Sequence, residues 1–228
     1  MIGIIVAMEK EAKDFLQKIQ NIKETKIHQI TFYEGTLDNL EVVLTISGVG
    51  KVSSSMIASF MIDHYKTIEK VINLGVSGGY GKHVKCGDVV VGTKYSYADV
   101  DCSCFDGYLY GQIPGLPKFF LGDEELISKI KADVVFGTIL SGDKFFSEKE
   151  ECDKIVRNHF SNDLVCAFDM ESAAIAQACY LLNVPFLALR AISDVIGGSE
   201  DVEKRYFDYV TIACKKASDA LYEILKSI

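Results

Sequence analysis

Two stretches decide how this chain is read: Leu164-Val-Cys-Ala-Phe-Asp-Met-Glu-Ser-Ala-Ala174 and Pro185-Phe-Leu-Ala-Leu-Arg-Ala-Ile-Ser-Asp194. Two apolar runs, 164–168 and 184–192, each end in polar or acidic residues. Between them Ser172 to Leu182 is Ala-rich and made of helix formers. Strand, helix, strand in that order predicts a crossover unit with parallel strands whose carboxyl ends line up. Ligands of open α/β sheets bind at those ends. The first strand would deliver Asp169, Met170 and Glu171 there, and the second Arg190, Ser193 and Asp194. Carboxylates at the ends of buried strands are costly to desolvate, so together they point to a site. Each alone has a plainer reading. Glu171 suits the positive end of a helix; Asp194 suits a cap of the following turn, with Arg190 as its ion-pair partner.

Working outward, Ile2-Gly-Ile-Ile-Val-Ala7 is a β-branched run that predicts a strand buried on both faces. Glu9 to Ile19 then sets Ala12, Phe15, Leu16 and Ile19 at helical spacing. Glu11 falls at that junction, where in isolation it reads as first-turn dipole stabilisation. Residues 28–35 and 40–46 alternate around Leu37-Asp-Asn39 and predict a hairpin. Ser47-Gly-Val-Gly-Lys51 opens a helix to about His64. Its glycines fit neither a phosphate loop, whose earlier glycine is replaced by Thr45, nor a dinucleotide fingerprint, whose third position is Ser53.

Val71 to Gly79 predicts a strand running into a glycine-rich turn, and residues 87–97 another buried strand. The segment Asp99 to Phe120 is aromatic and turn-rich, with Phe105, Tyr108, Tyr110 and Gly111-Gln-Ile-Pro-Gly115. A loop of that length is expected to wall a pocket or meet a partner. Asp123 to Lys131 reads as a short helix, Val134 to Leu140 as a strand ending in Ser141-Gly-Asp-Lys-Phe-Phe146, and Glu148 to Phe160 as a helix. After Asp194, Gly197-Gly-Ser-Glu200 reads as a flexible link. Tyr206 to Ile228 closes the chain as an amphipathic helix carrying Phe207, Val210, Cys214, Ala217, Leu221 and Ile224. One α/β domain over 1–228 is expected.

The formal charge of −8 and the scattered basic residues argue against nucleic acid or an anionic membrane as partner. Seven cysteines form no Cys-x-x-Cys and the four histidines are widely separated, so no metal-site spacing exists. Free thiols, a short first apolar run without basic flanks, and no run of membrane-spanning length predict a cytoplasmic protein.

Six motifs then occur together: Ala7-Met-Glu-Lys-Glu11, Gly48-Val-Gly-Lys51, Asn73-x-Gly-x-x-Gly-Gly79, Ser141-Gly-Asp-x-Phe145, Asp169-Met-Glu171 and Arg190-Ala-Ile-Ser-Asp194. In order and spacing they resemble the 5′-methylthioadenosine/S-adenosylhomocysteine nucleosidases of the nucleoside phosphorylase superfamily, over essentially the whole chain. The resemblance implies a three-layer α/β/α fold around a mixed, twisted sheet, a homodimer, no metal or organic cofactor, adenine nucleoside thioethers as substrates (5′-deoxyadenosine included), and a place in methionine salvage. It implies that Asp194 protonates N7 of adenine, that Ser193 orients it, and that Glu11 takes a proton from the attacking water. Glu171 would hold the ribose hydroxyls and stabilise the cationic sugar, and Arg190 would hold water and carboxylates. Phe145 would stack on the purine, the backbone of Phe146 would read its edge, and Met8, Met170 and Phe207 would line the ribose and 5′-thio region. Tyr108 and Pro114, with Cys102 and Phe105 on the same loop, would reach the neighbouring subunit's pocket. The sequence departs from the pattern at Val76, where Ser or Thr is frequent and Ser77 stands next door, at Asp169, where the family has Glu, and by one extra residue near Asp106.

Three rivals remain from the sequence. A nucleoside phosphorylase would use phosphate, which Glu9 and Glu11 in the first loop would repel, Lys10 offsetting them only in part. An aminodeoxyfutalosine nucleosidase would differ in the pocket shaped by residues 102–117. A nucleoside-binding protein without chemistry would be expected to lack one of Glu11, Glu171 and Asp194, and all three are present.

Overall fold

The computed structural model describes residues 1–198 and 202–226, with side chains for all of these except 202–208. Its centre is strand β1 (Ile2–Val6), every residue of which is buried. It lies parallel between β4 (Leu40–Ile46) and β5 (Lys70–Gly79). Its side chains alternate between two cores, as a strand's must. Ile2, Ile4 and Val6 pack with Phe15 of helix α1 (Glu9–Leu16) and with Ala217 and Leu221 of α6 (Val202–Leu225). Ile5 joins the opposite core, with Ala58 and Met61 of α2 (Lys51–His64) and Ile175 and Cys179 of α5 (Ser172–Leu181). Helices on both faces of one sheet make the expected three layers. No described helix is long and apolar enough to cross a membrane.

The sheet continues outward from β4 through β3 (Ile30–Leu37) to β2 (Gln20–Ile27), both antiparallel. The β3–β4 hairpin turns at Asp38-Asn39 as expected, Asp38 taking a positive φ of 51°. On the other side lie β6 (Val89–Tyr97), β8 (Val135–Ser141), β9 (Val165–Asp169) and β10 (Phe186–Val195), with the two-residue β7 (Phe120–Leu121) on β6. Residues 99–119 between β6 and β7 form no helix or strand. Helix α3 (Glu124–Lys129) precedes β8, and α4 (Lys149–His159) precedes β9.

The predicted crossover needs correction. β10 runs parallel to β5 and antiparallel to β6, while β9 is parallel to β8 and antiparallel to β5, so β9 and β10 are not a parallel pair. Instead β5, β10, β6, β8 and β9 close into a ring. β5 outlasts β1, and the edge that β1 leaves open is taken by β9 at Gly78 and Gly79. Strand twist accumulates around a closed sheet and turns the two sides against each other, which a local pattern cannot register. The consequence expected of the crossover survives by another route: Gly78 pairs with both Phe168 and Asp194, so the carboxyl ends of β5, β9 and β10 meet.

Smaller differences have simple causes. Helix α1 stops at Leu16, and Ile19 is buried from the turn that follows. The polar β2 gave no burial pattern. The closing helix starts at Val202, ahead of the expected Tyr206; Ile228, Ser199 and Glu200 lie outside the described residues.

Candidate active site

A cavity of about 280 Å³ opens where those strand ends meet the starts of α1, α2 and α5. Ala7, Met8, Glu11, Val49, Val76, Ser77, Gly78, Lys144, Phe145, Phe146, Phe168, Asp169, Met170, Glu171, Ser193 and Asp194 line it.

Glu11 sits one turn into α1, buried, and its carboxylate is held by backbone N–H groups. Oε2 accepts from Ala7 at 2.8 Å and Met8 at 3.0 Å, and Oε1 accepts from Val76 at 2.9 Å. Glu11 thus lies in the first turn of α1, where dipole stabilisation was foreseen, it also closes that turn by accepting from the Met8 amide, and it has a place in the cavity wall. Burial pushes its carboxyl above the ordinary range, against the opposing pull of the Arg190 guanidinium and the three N–H donors. Gly75 leaves the room this needs: a Cβ there would lie 2.5 Å from Glu11 Oε1 and closer still to Nη1 of Arg190.

Arg190 is fully buried and stands behind the cavity wall. Its Nε donates to Asp169 Oδ2 at 2.7 Å, and its Nη2 donates to Asn73 Oδ1 and, at 3.5 Å, to Glu171 Oε2. Burial works against its charge, yet Asp169, Glu171 and Glu11 together hold its pKa above the usual value. As the plainer alternative the sequence offered Asp194 as the ion-pair partner of Arg190; the structure pairs Arg190 with Asp169 and Glu171, which lie at the carboxyl end of β9. Asp169 also accepts from the hydroxyls of Ser141 and Ser172 and from the Ser172 amide, and so caps α5. Glu171 stands at the N-cap position of α5, the helix start foreseen for it, but its side chain makes no cap bond. Glu171 Oε1 accepts from the Gly50 amide at 3.1 Å, and burial pushes its carboxyl up to about 7, Arg190 opposing and Asp169 reinforcing the shift.

Across the cavity, Ser193 Oγ donates to Asp194 Oδ1 at 2.7 Å, both residues being buried. Phe145 is 52 % exposed at the rim, while Phe146 is buried against Phe168 with ring centroids 4.9 Å apart. Ser77 Oγ is a buried hydroxyl without a hydrogen-bond partner among the described residues.

Of the residues foreseen, Glu11, Glu171, Asp194, Met8, Val76, Ser77, Phe145, Phe146, Met170 and Ser193 meet in this cavity, with Arg190 behind it. Cys102, Phe105, Tyr108 and Pro114 are not in its wall. The side chain of Phe207 lies outside the described residues. The sequence reading had Gly50 in a motif without its contact to Glu171, and it missed the structural weight of Asn73 and Asp169. Asn73, which donates to Ile5 O at 2.9 Å, carried a signal: a lone amide inside the apolar run Val71-Ile-Asn-Leu74.

Comparison with known proteins agrees with this fold. The family model described as the phosphorylase superfamily matches residues 1–228. A 5′-methylthioadenosine/S-adenosylhomocysteine nucleosidase of Staphylococcus carnosus is 36 % identical over 235 residues, covering 100 % of both chains. The crystal structure of the nucleosidase of that name from Neisseria meningitidis, in complex with methylthio-immucillin-A, superposes with a TM-score of 0.91 at 35 % identity, covering 100 % of this chain and 99 % of that one. That from Colwellia psychrerythraea, in complex with adenine, gives 0.92 at 34 % identity over 99 % and 94 %. The chain belongs to the phosphorylase superfamily, within its family of 5′-methylthioadenosine/S-adenosylhomocysteine nucleosidases.

Proposed function

We propose that this protein hydrolyses the N-glycosidic bond of 5′-methylthioadenosine and S-adenosylhomocysteine, and of 5′-deoxyadenosine, releasing adenine and the 5′-substituted ribose. The observation that carries the reading is one cavity with a serine-oriented carboxyl, Asp194, on one wall and two buried carboxylates flanking an arginine, Glu11 and Glu171, on the others. Asp194 gives a proton to N7 of the base, so that the glycosidic electrons leave into a neutral purine. Glu171, ionised, holds the ribose hydroxyls and faces the positive charge that develops on the sugar. Glu11 takes a proton from the water that adds to the anomeric carbon. Phe145 offers an exposed ring for the purine, with the Phe146 backbone at its edge, and Met8, Met170, Val76 and Ser77 surround the ribose and thioether.

Water is favoured over phosphate because the two carboxylates next to Arg190 already neutralise it and would repel an anion. Phe105 is 65 % exposed, Val52 on α2 is 77 % exposed, and Leu109 and Met56 are also largely bare. Such apolar surface supports a homodimer in which residues 102–117, with Cys102, Phe105, Tyr108 and Pro114, complete the neighbour's pocket. Free thiols at Cys102, Cys104, Cys152, Cys166, Cys179 and Cys214 support a cytoplasmic enzyme, acting in methionine salvage as a single domain.

The test is release of adenine from methylthioadenosine, followed chromatographically in phosphate-free buffer and again with added phosphate. Adenine and free methylthioribose without phosphate are expected. Turnover only with phosphate, yielding a sugar 1-phosphate, would overturn the reading.

A further inference from the structure

A ring of polar contacts ties two chain segments that border the cavity, the approach to α2 at Val49 and the stretch at Lys144–Phe146, to the start of the 99–119 segment. The Lys51 ammonium donates to both carboxylate oxygens of Asp99 at 2.7 Å. The Asp143 amide donates to Asp99 Oδ2 at 2.8 Å, and Asp143 Oδ1 accepts from the Lys51 amide, also at 2.8 Å, which caps α2 from another loop. Asp99 begins the long 99–119 segment, Lys51 begins α2, and Asp143 lies two residues before Phe145. The side chains of Lys51 and Asp99 are 21 % and 27 % exposed, so solvent screens the pair and its net stability is modest. What the ring does is set geometry. Gly50, adjoining Lys51, has φ +100°, and a Cβ on it would press on Asp143 Oδ1 at 3.1 Å. This backbone aims the Gly50 amide at Glu171 Oε1. Gly142 is equally constrained, since a Cβ there would meet the Asp99 carboxyl carbon at 3.0 Å.

We infer that Asp99 is a positioning residue for the reaction: through Lys51 and Asp143 it holds the Gly50 N–H on Glu171 and the Phe145 ring at the rim. The inference rests on the function proposed above, in which Glu171 works ionised. Glu171 is faced by Arg190 from β10, Asp169 from β9, Glu11 from α1 and the Gly50 amide from the start of α2. Only the last depends on the ring, and it favours the charged carboxylate. Releasing it leaves burial and the two like charges less opposed, so Glu171 holds its proton to higher pH.

The experiment compares wild type, Asp99→Asn, Lys51→Met and Lys51→Arg on methylthioadenosine from pH 5.5 to 9, with thermal midpoints measured alongside. Asp99→Asn is expected to raise KM at least fivefold. It should also move the acid limb of kcat/KM upward by about half a pH unit, a roughly threefold greater loss at pH 6 than at pH 8. Lys51→Met should reproduce both changes and supplies the readout if Asp99→Asn does not fold; Lys51→Arg should restore most of KM. Unchanged KM and superimposable pH profiles, with or without a lower thermal midpoint, would reduce the ring to a surface ion pair and overturn the inference. Glu171→Gln is the control for the underlying reading. If it turns over like wild type, the role proposed for Glu171 fails and takes this inference with it, while the hydrolysis itself stands; if it is inactive while the ring variants behave as wild type, only the inference fails.

Discussion

Glu171→Gln should stabilise this protein while abolishing its turnover, and the gain should depend on pH in a defined direction. The folded-state carboxyl of Glu171 is raised from 4.5 to about 7, chiefly by burial. A carboxyl whose folded pKa lies above its unfolded one binds a proton more tightly when folded. Its contribution to stability is therefore complete below about pH 4.5 and is lost as pH rises through about 7. At about 1.4 kcal/mol per pH unit, the loss by pH 8.5 is about 3 kcal/mol. Glutamine keeps the shape of the protonated acid and an oxygen for the Gly50 amide, and it has no proton to lose. Arg190 retains Asp169 at 2.7 Å, so no buried cation is abandoned. The variant should thus match wild type near pH 4 and exceed it by about 3 kcal/mol at pH 8.5, a large fraction of the ~5–15 kcal/mol typical of a folded domain. Urea titration at fixed protein concentration, followed by the fluorescence of the 11 tyrosines in a chain without tryptophan, measures this. A difference that is the same at pH 4 and pH 8.5, or a variant less stable at pH 8.5, would refute the claim that burial of charge dominates at this position.

Arg190→Met removes the cation and leaves Asp169, Glu171 and Glu11 buried together, and should cost about 3–5 kcal/mol in urea titration at pH 8. Part of that loss should return at pH 6 as Glu11 and Glu171 take up protons; a pH-independent loss would mean that packing alone is at stake. Gly75→Ala forces a methyl group between Glu11 and Arg190, and kcat should fall on the order of a hundredfold from the displacement of both. A fall of less than threefold in steady-state assays would show that the wall yields. Asp194→Asn keeps an acceptor for Ser193 but cannot supply the proton, and should lower kcat by about 10²–10⁴ with KM little changed. Turnover within a few-fold of wild type would remove Asp194 as the acid.

The parts of this molecule that sequence made legible are those where burial and chemistry coincide locally. The β-branched run of β1, the helical spacing of α1 and the acidic residues ending apolar runs each carry their signal within about ten residues. Strand β2, Gln-Asn-Ile-Lys-Glu-Thr-Lys-Ile, carries none, because it is almost wholly exposed and is held by its ladder to β3 rather than by buried side chains. The ring closure was illegible for a different reason. It depends on β5 extending past β1 and on an edge becoming free at Gly78, and no single segment states either fact. The partner of Arg190 followed from that closure. Asp194 is nearer in sequence, but Asp169 is the carboxylate that β9 carries to it. Likewise the Gly50 amide reaches Glu171 across 121 residues of sequence, so its part in the cavity shows only once the strands are arranged.

The backbone cradle around Glu11 has a stereochemical consequence. A carboxylate offers about four lone-pair positions, and three of those on Glu11 are occupied by the amides of Ala7, Met8 and Val76. Main-chain donors at the start of a helix and the end of a central strand cannot swing away as side chains do. One lone pair remains, so an incoming proton has a single address on this group. In the proposed reaction the water must approach along that one line, and the face of the sugar that it attacks is then fixed by the folding of β1 and β5.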